Sequence, residues 1–291
     1  MELKGSKTEA NLLNAFSREL HAKARYEYFA AAAREAGLEQ VADIFWATAQ
    51  NEAEHARHEF QFLGGAGETK ANLILSVARE HEEATNLYPA AADTAKKESF
   101  AEIDDFFRRM GQVEERHEKN FHEILETLEK GGTFRGRTVG HSALEMAQMM
   151  LPLQANPAGF VHGGELMKLM DNCAGVVAVR HCRTNIVTAT VEDIRFQSAV
   201  RVGDLAIVRG KITFTSRSSM EVRIDVEAED LLSGQKRPAV TAHFVMVALG
   251  ADGRPVEVPP LILSTEEEQK LFDEGQARYE GRRTSPRKQP D

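Results

Sequence analysis

LEQVADIFWATAQNEAEH, residues 38–55, is answered 62 residues later by FAEIDDFFRRMGQVEERH, residues 100–117. In this alignment Leu38–Phe45 falls on Phe100–Phe107, and Glu52-x-x-His55 falls on Glu114-x-x-His117. An offset of 61 carries Glu19 onto Glu80. Around the repeat, apolar residues recur with a helical period, as in Leu12, Leu13, Phe16 and Leu20. The pattern predicts helices near 9–36, 39–63, 71–97 and 100–129, with breaks at Gly37, at Gly64-Gly65-Ala66-Gly67 and around 97–99. Pro89 should kink or interrupt the third. Four such helices joined by short breaks predict an antiparallel four-helix bundle. Residues i and i+3 share a helix face, so Glu52 and His55 can converge on one point, as can Glu114 and His117. One Glu from each of two helices and Glu-x-x-His from the other two is the donor set of a carboxylate-bridged metal pair. A single Glu-x-x-His in an acidic helix is usually a solvated pair. Two copies, each 33 or 34 residues after a further Glu and inside a repeat, point to ligands. Carboxylate and imidazole suit iron or manganese, whereas thiolates would favour zinc or iron–sulfur clusters.

The 291 residues are enough for two domains at about 150 residues each. With 42% hydrophobic and 28% charged residues the chain is not a disordered one. No apolar run reaches the roughly 18 residues of a membrane span, and MELKGSKTEA has no signal-peptide core, so the expected location is the cytoplasm. Cys173 and Cys182 are the only cysteines, which excludes a disulfide framework and an all-cysteine metal site. They read as small buried apolar residues. The net charge of −9 is uneven: residues 1–131 hold 16 basic and 25 acidic residues, residues 132–291 hold 20 of each. An acidic first half argues against a nucleic-acid surface there. Six of the ten histidines share that half, as expected where carboxylates hold cations. Of these, His21, His58, His81 and His122 read as solvated.

The first half also resembles rubrerythrin, a member of the ferritin-like superfamily. The resemblance is carried by Asn11–Glu19, Ala24-Arg25-Tyr26-x-Tyr28-Phe29, Asn51-Glu52-x-x-His55-Ala56, Glu80-x-x-Glu83, Leu87-Tyr88-Pro89 and Val113-Glu114-x-x-His117-Glu118. It implies a di-iron site that reduces hydrogen peroxide, with metal ligands Glu19, Glu52, His55, Glu80, Glu83, Glu114 and His117. Glu83 is the extra carboxylate of that family; the matching place after Glu19 is Ala22. The family's rubredoxin module, with its paired C-x-x-C motifs, is missing. An external electron donor, a rubredoxin-like protein or a reductase, is therefore expected.

Gly131-Gly132-Thr133-Phe134-Arg135-Gly136 reads as a linker, and beyond it the period changes to two. Strands are predicted at 187–196, 205–215, 220–230 and 239–248, with turns at Val202-Gly203-Asp204, Ser233-Gly234-Gln235 and Ala251-Asp252-Gly253. A helix over about 164–180 is apolar on most faces, so a sheet should wrap around it. That is the hotdog arrangement. Thr265-Glu-Glu-Glu begins a last helix running to about Tyr279, and Gly281–Asp291 reads as a disordered basic tail.

Leu151-Pro-Leu-Gln-Ala-Asn156-Pro-Ala-Gly159-Phe-Val-His162-Gly163-Gly164, Leu169-Met170-Asp171, Val187-Thr188-Ala189, Arg201-Val-Gly203-Asp204 and Arg217-Ser218-Ser219-Met-Glu221 resemble the acyl-CoA thioesterases of the hotdog superfamily. Many of that branch read Phe-Gly-Gly where this chain has His162-Gly163-Gly164; the His form occurs in a neighbouring thioesterase branch. The catalytic candidates are Asp171, Asn156, Gly164, His162 and Thr188. Backbone N–H groups at the glycine-led helix start can face a developing oxyanion. A carboxylate at Asp171 can activate water or attack the thioester, and Asn156 can orient the water or the carbonyl. The resemblance implies that Asn156 and Asp171 meet across a dimer interface. Arg217, Ser218 and Ser219 are candidates for the CoA phosphates.

The sequence thus predicts a two-domain α plus α/β chain. Residues 1–131 form a ferritin-like four-helix bundle, 132–264 a hotdog domain, and 265–291 a terminal helix and tail. The expected activity is hydrolysis of an acyl-CoA, with CoA as part of the substrate and two iron ions, or manganese, in the bundle. The alternative is a di-iron sensor or iron-handling protein whose hotdog half only binds CoA esters. No nucleic-acid or membrane partner is expected, and assembly into a dimer, tetramer or hexamer is. 

Overall fold

The computed structural model describes residues 2–284. The chain divides into two compact units, residues 1–76 and 77–291. The first holds α1 (Lys7–Glu35) and α2 (Glu39–Phe62), packed as a hairpin. Ser6 caps α1 by accepting the Glu9 N–H at 3.1 Å. Along the hairpin the buried positions are alanines: Ala30, Ala33, Ala42, Ala49 and Ala56. Small side chains there let the two helices approach closely, and rings fill the flanks, with Phe16 stacked on Phe60 at 5.5 Å.

α3 (Thr69–Glu82) runs from the first unit into the second. It continues through a π turn at Glu83–Leu87 into α4 (Tyr88–Lys97), which packs on α5 (Ala101–Glu129). The interruption expected at Pro89 takes this form. Proline has no N–H and its ring crowds the carbonyl four residues back, and the wider turn just upstream, with Tyr88 N–H donating to Glu83 O, absorbs both defects. Four helical rods therefore appear in the predicted order, with ends within a few residues of those expected.

The rest of the second unit is built around α7 (Gly163–Cys182). The short β1 (Arg137–Thr138), α6 (Val139–Ser142) and β2 (Leu144–Met149) precede it. β3 (Asn185–Phe196), β4 (Leu205–Thr215), β5 (Ser219–Glu229) and β6 (Lys236–Leu249) follow. These form an antiparallel sheet in the order β2-β4-β5-β6-β3. α7 packs against all five strands. Met170, Cys173, Val177, Ile224, Phe244 and Met220 meet in the core between them. At Gly210 on β4 a Cβ would lie 2.9 Å from Cys173 Sγ and from Ile224 Cδ1, so only glycine lets the helix sit this close. Both cysteines are free, as expected, and burial pushes their thiols up to about 11. β2, and the parallel pair of β1 with β7 (Leu261–Ile262), had no sequence prediction. No helix among the described residues is long and apolar enough to cross a membrane.

α8 (Glu266–Thr284) packs on β4. It runs past the predicted end at Tyr279 and takes in the first residues assigned to the tail; residues 285–291 of that tail lie outside the described residues. Phe272 and Tyr279 lie 5.0 and 5.3 Å from the ring of Phe214. At Gly275 a Cβ would come within 2.7 Å of Phe214 Cβ and 3.1 Å of Glu221 Oε1. Glu221, 1% exposed, accepts two bonds from Arg278 (2.8 and 3.0 Å) and one from Thr213 Oγ1 at 2.7 Å. Burial alone would raise this carboxyl's pKa, but Arg278 and Thr213 hold it below the ordinary glutamate value.

Losing one partner of such a pair strands a buried charge. Arg278→Leu should therefore destabilise the hotdog half by about 3–5 kcal/mol, and Arg278→Leu combined with Glu221→Leu should recover much of the loss. Denaturant unfolding of the three proteins measures this. The pair's contribution should be complete above the ordinary glutamate pKa and decline as pH falls through the lowered one.

Candidate functional sites

Glu19 from α1 and Glu52 and His55 from α2 form the first cluster, in the first compact unit. Their ligand atoms lie within 4.8 Å of one another. His55 Nδ1 is 3.0 Å from Glu52 Oε2 and 3.7 Å from Glu19 Oε2. The i, i+3 spacing on α2 aligns Glu52 with His55, and the neighbouring helix brings Glu19. The hydrogen bond between the two carboxyls pushes Glu19 up and Glu52 down.

The second compact unit repeats the arrangement with Glu80 from α3 and Glu114 and His117 from α5, again within 4.8 Å. His117 Nδ1 is 2.7 Å from Glu114 Oε2 and 3.5 Å from Glu80 Oε2. Burial and the hydrogen bond to Glu114 raise the Glu80 carboxyl. Burial works against a charged His117 ring, but the Ser264 carbonyl and the Glu114 and Glu80 carboxylates outweigh it and hold its pKa above the usual histidine value. Each cluster offers only oxygen and imidazole donors, which would give up their protons to bind a metal ion. That donor set fits iron or manganese. Glu83, at the start of the π turn, is 18% exposed at its side chain and accepts from Arg79 Nε at 2.9 Å rather than joining the triad. His21, His58, His81 and His122 belong to neither triad.

In the hotdog half, Asn156 follows the single 3-10 turn Pro152–Gln154. Its Oδ1 accepts the N–H groups of Ala158 (2.9 Å) and Phe160 (3.2 Å), which locks the loop before α7. His162 is the N-cap of α7, and its Nδ1 accepts the Gly164 N–H at 3.0 Å. An imidazole therefore stands where an oxyanion would meet that N–H. Asp171, two turns further along, is exposed in the single chain and accepts from Thr188 Oγ1 at 2.7 Å. Thr188 sits beside a register shift in β3 that turns its hydroxyl toward the helix. Within one chain no hydrogen bond joins Asn156 to Asp171 among the described residues. Arg217 is exposed in the β4–β5 turn, where the hydroxyls of Ser216 and Ser219 are 2.8 Å apart and the Ser218 carbonyl accepts the Ala248 N–H.

Two groups against these residues escaped the sequence reading. Arg79, on Glu83, could have been found from its i, i+4 spacing. The Ser264 carbonyl, 2.9 Å from His117 Nε2, could not, because any residue supplies one.

Comparison with known proteins follows the same division. A family model for rubrerythrin matches residues 10–125 and 71–148, and one for the thioesterase superfamily matches residues 158–234. A rubrerythrin of Porphyromonas gingivalis is 43% identical over 145 residues, covering 45% of this chain and 72% of that protein. An uncharacterized acyl-CoA thioester hydrolase of Bacillus subtilis is 34% identical over 138 residues, covering 47% of this chain and 80% of that protein. The cytosolic acyl coenzyme A thioester hydrolase of Homo sapiens is 41% identical over 185 residues, 60% of this chain. The chain spans 49% of the length of that human protein and 38% of its rat counterpart. Among solved structures, an apo-hexameric acyl-CoA thioesterase superposes with a TM-score of 0.51 at 31% identity, over 53% of this chain and 99% of that one. The chain thus belongs to two families at once, rubrerythrin through its helical half and the thioesterase superfamily through its sheet-bearing half.

Proposed function

We propose that the chain hydrolyses acyl-CoA thioesters to the free acid and CoA, and that its helical half holds a pair of iron ions. The observation that carries the hydrolase reading is the 2.7 Å bond from Thr188 to Asp171, a carboxylate held in place on the helix that the sheet wraps. Thr188 fixes one carboxylate oxygen and leaves the other free to take a proton from water as it attacks the thioester carbon. The Gly164 N–H, with the positive end of α7 behind it, stabilises the developing oxyanion once the carbonyl oxygen displaces the His162 imidazole. Asn156 orients the water or the carbonyl from its locked loop. The exposed guanidinium of Arg217, with Ser218 and Ser219, meets CoA phosphate. Leu153, Val187 and Phe196, 97%, 45% and 57% exposed, are apolar surface that a second copy would cover, bringing Asn156 of one copy to Asp171 of the other.

In the helical half, Glu19, Glu52 and His55 with Glu80, Glu114 and His117 are the proposed ligands, and Glu83 is a further carboxylate that becomes available when it leaves Arg79. The bound ions would supply the electrons that reduce peroxide to water. Those electrons are replaced from outside the chain, by a rubredoxin-like carrier or a reductase. The proposed setting is the cytoplasm.

Asp171→Ala should lower kcat on the preferred acyl-CoA by roughly 10²-fold or more while CoA still binds, in the range of losing a general base. Asn156→Ala should lower it less. A panel of acyl-CoA substrates tests both, and wild-type turnover by Asp171→Ala would remove the carboxylate from the mechanism. Metal analysis of the full chain should find about two ions. Glu52→Ala and Glu114→Ala should each lose most of that metal yet keep folded helices by circular dichroism; undiminished metal in both would sink the ligand assignment.

A further inference from the structure

His117 is held at both ring nitrogens, and the two holds come from different halves of the sequence. Nδ1 faces Glu114 at 2.7 Å and Glu80 at 3.5 Å, while Nε2 lies 2.9 Å from the carbonyl oxygen of Ser264, which follows β7. A carbonyl can only accept, so Nε2 carries a hydrogen. In a neutral ring the lone pair then falls on Nδ1, on the side of the two glutamates. Asn120 stands one helical turn on, on the same face of α5, and donates through Nδ2 to the Leu263 carbonyl at 3.3 Å. Two consecutive carbonyls of one segment are thus held by one helix.

The segment is tied on its far side as well. The Ser264 N–H donates to Glu268 Oε2 at 2.7 Å, and Thr265 Oγ1 accepts the Glu268 N–H at 3.1 Å, which caps α8. α8 in turn is pinned to the sheet by Arg278 on Glu221. At His55, the matching histidine of the first half-repeat, only Nδ1 has partners among the described residues. The outer hold on His117 is therefore no by-product of the repeat. It comes from the segment that closes the hotdog half.

We propose that the Ser264 carbonyl is a positioning group for His117 as a metal ligand, so that metal capture at Glu80, Glu114 and His117 and ordering of residues 263–268 are one equilibrium. The inference rests on the metal reading above and adds a route by which the metal reaches the hotdog half. A fixed hydrogen bond at the outer ring nitrogen sets the tautomer and raises the basicity of the nitrogen that binds metal. Linkage makes the effect mutual: metal on α5 tightens the start of α8, and a well-seated α8 strengthens metal binding by the same factor.

The test uses the full chain, stripped of metal and titrated with ferrous ion under exclusion of oxygen, with hydrogen exchange as the readout. Ferrous ion should slow exchange of the amides of residues 263–268 as well as those of α5. In Glu114→Ala, which lacks a ligand of this triad, the slowing at 263–268 should disappear. Asn120→Leu removes one clamp and Glu268→Ala frees the Ser264 N–H, and neither residue touches the metal. Both should weaken ferrous binding by about 10-fold, the usual loss for an outer partner of a histidine ligand, with the number of ions at saturation unchanged. Ferrous binding that leaves exchange at 263–268 untouched in the wild type overturns the inference and spares the metal reading. So does wild-type affinity in both variants. A chain that takes up no ferrous ion overturns both.

Discussion

α7 is apolar around most of its circumference, and this one fact shapes the sheet-bearing half. Leu166, Leu169, Met170, Cys173, Ala174, Val177 and Ala178 are all buried, and their alternating spacing of three and one places them on one broad face, about half of the helix. A face this broad is poorly covered by a flat sheet, because each large apolar side chain left exposed forfeits about 1.5–3 kcal/mol. The sheet must curl around it, and glycine at 210 lets β4 come close enough to do so. The groups proposed for the chemistry sit where this wrapping stops. The helix start, with Gly163 and Gly164, emerges at one end, and Asp171 appears on the face that the chain's own sheet does not cover. One constraint, burial of this broad apolar face, therefore places both the backbone proposed to stabilise an oxyanion and the proposed catalytic carboxylate at the edge of the same core.

The helical half obeys a different constraint. Each of its helix pairs gathers polar groups: two carboxyls and an imidazole are drawn within 4.8 Å in each cluster. The glutamates respond as close carboxyls must. Glu19 is pushed up first by its hydrogen bond with Glu52 and then by burial, and Glu80 first by burial and then by its hydrogen bond with Glu114, with carboxylate repulsion adding to both. A multivalent cation would relieve the repulsion between the carboxylates, which is the physical case for metal at these clusters. The π turn after Glu82 adds a feature that the periodic helices lack. It starts at Glu83, the one extra carboxylate of the second half-repeat, and Arg79 holds that side chain from the preceding turn.

α8 joins the two kinds of structure. On the sheet it inserts Arg278 beside the buried Glu221, a pair whose loss on one side is costly and whose geometry therefore fixes where the helix lies. At its start, the Thr265 cap and the Glu268 side chain set the path of the chain across His117 and Asn120 on α5. A segment that would be a simple connector in an isolated hotdog thus becomes shared property. The polypeptide is a fusion in sequence, but hydrogen bonds on α5 make the second compact unit larger than the hotdog alone.

The local rules wrote much of this into the sequence. A 62-residue repeat, helical periodicity and Glu-x-x-His spacing determined the rods and both triads, because i, i+3 geometry on a helix is independent of what surrounds it. Alternation determined four strands, and the stretch before them, apolar on most faces, determined that a sheet would wrap a helix. The glycine pair and Asp171 were legible because their place on that helix follows from counting. Other features belong to the tertiary structure alone. Leu144–Met149 became a strand through its pairing with β4, and Arg137–Thr138 through Leu261–Ile262. Glu221 looked like any strand glutamate until α8 covered it. The Thr188 hydroxyl on Asp171 and the Ser264 carbonyl on His117 each depend on where two separate segments come to rest. Periodicity fixes which face of an element a residue occupies; which partner waits opposite that face is settled only by packing.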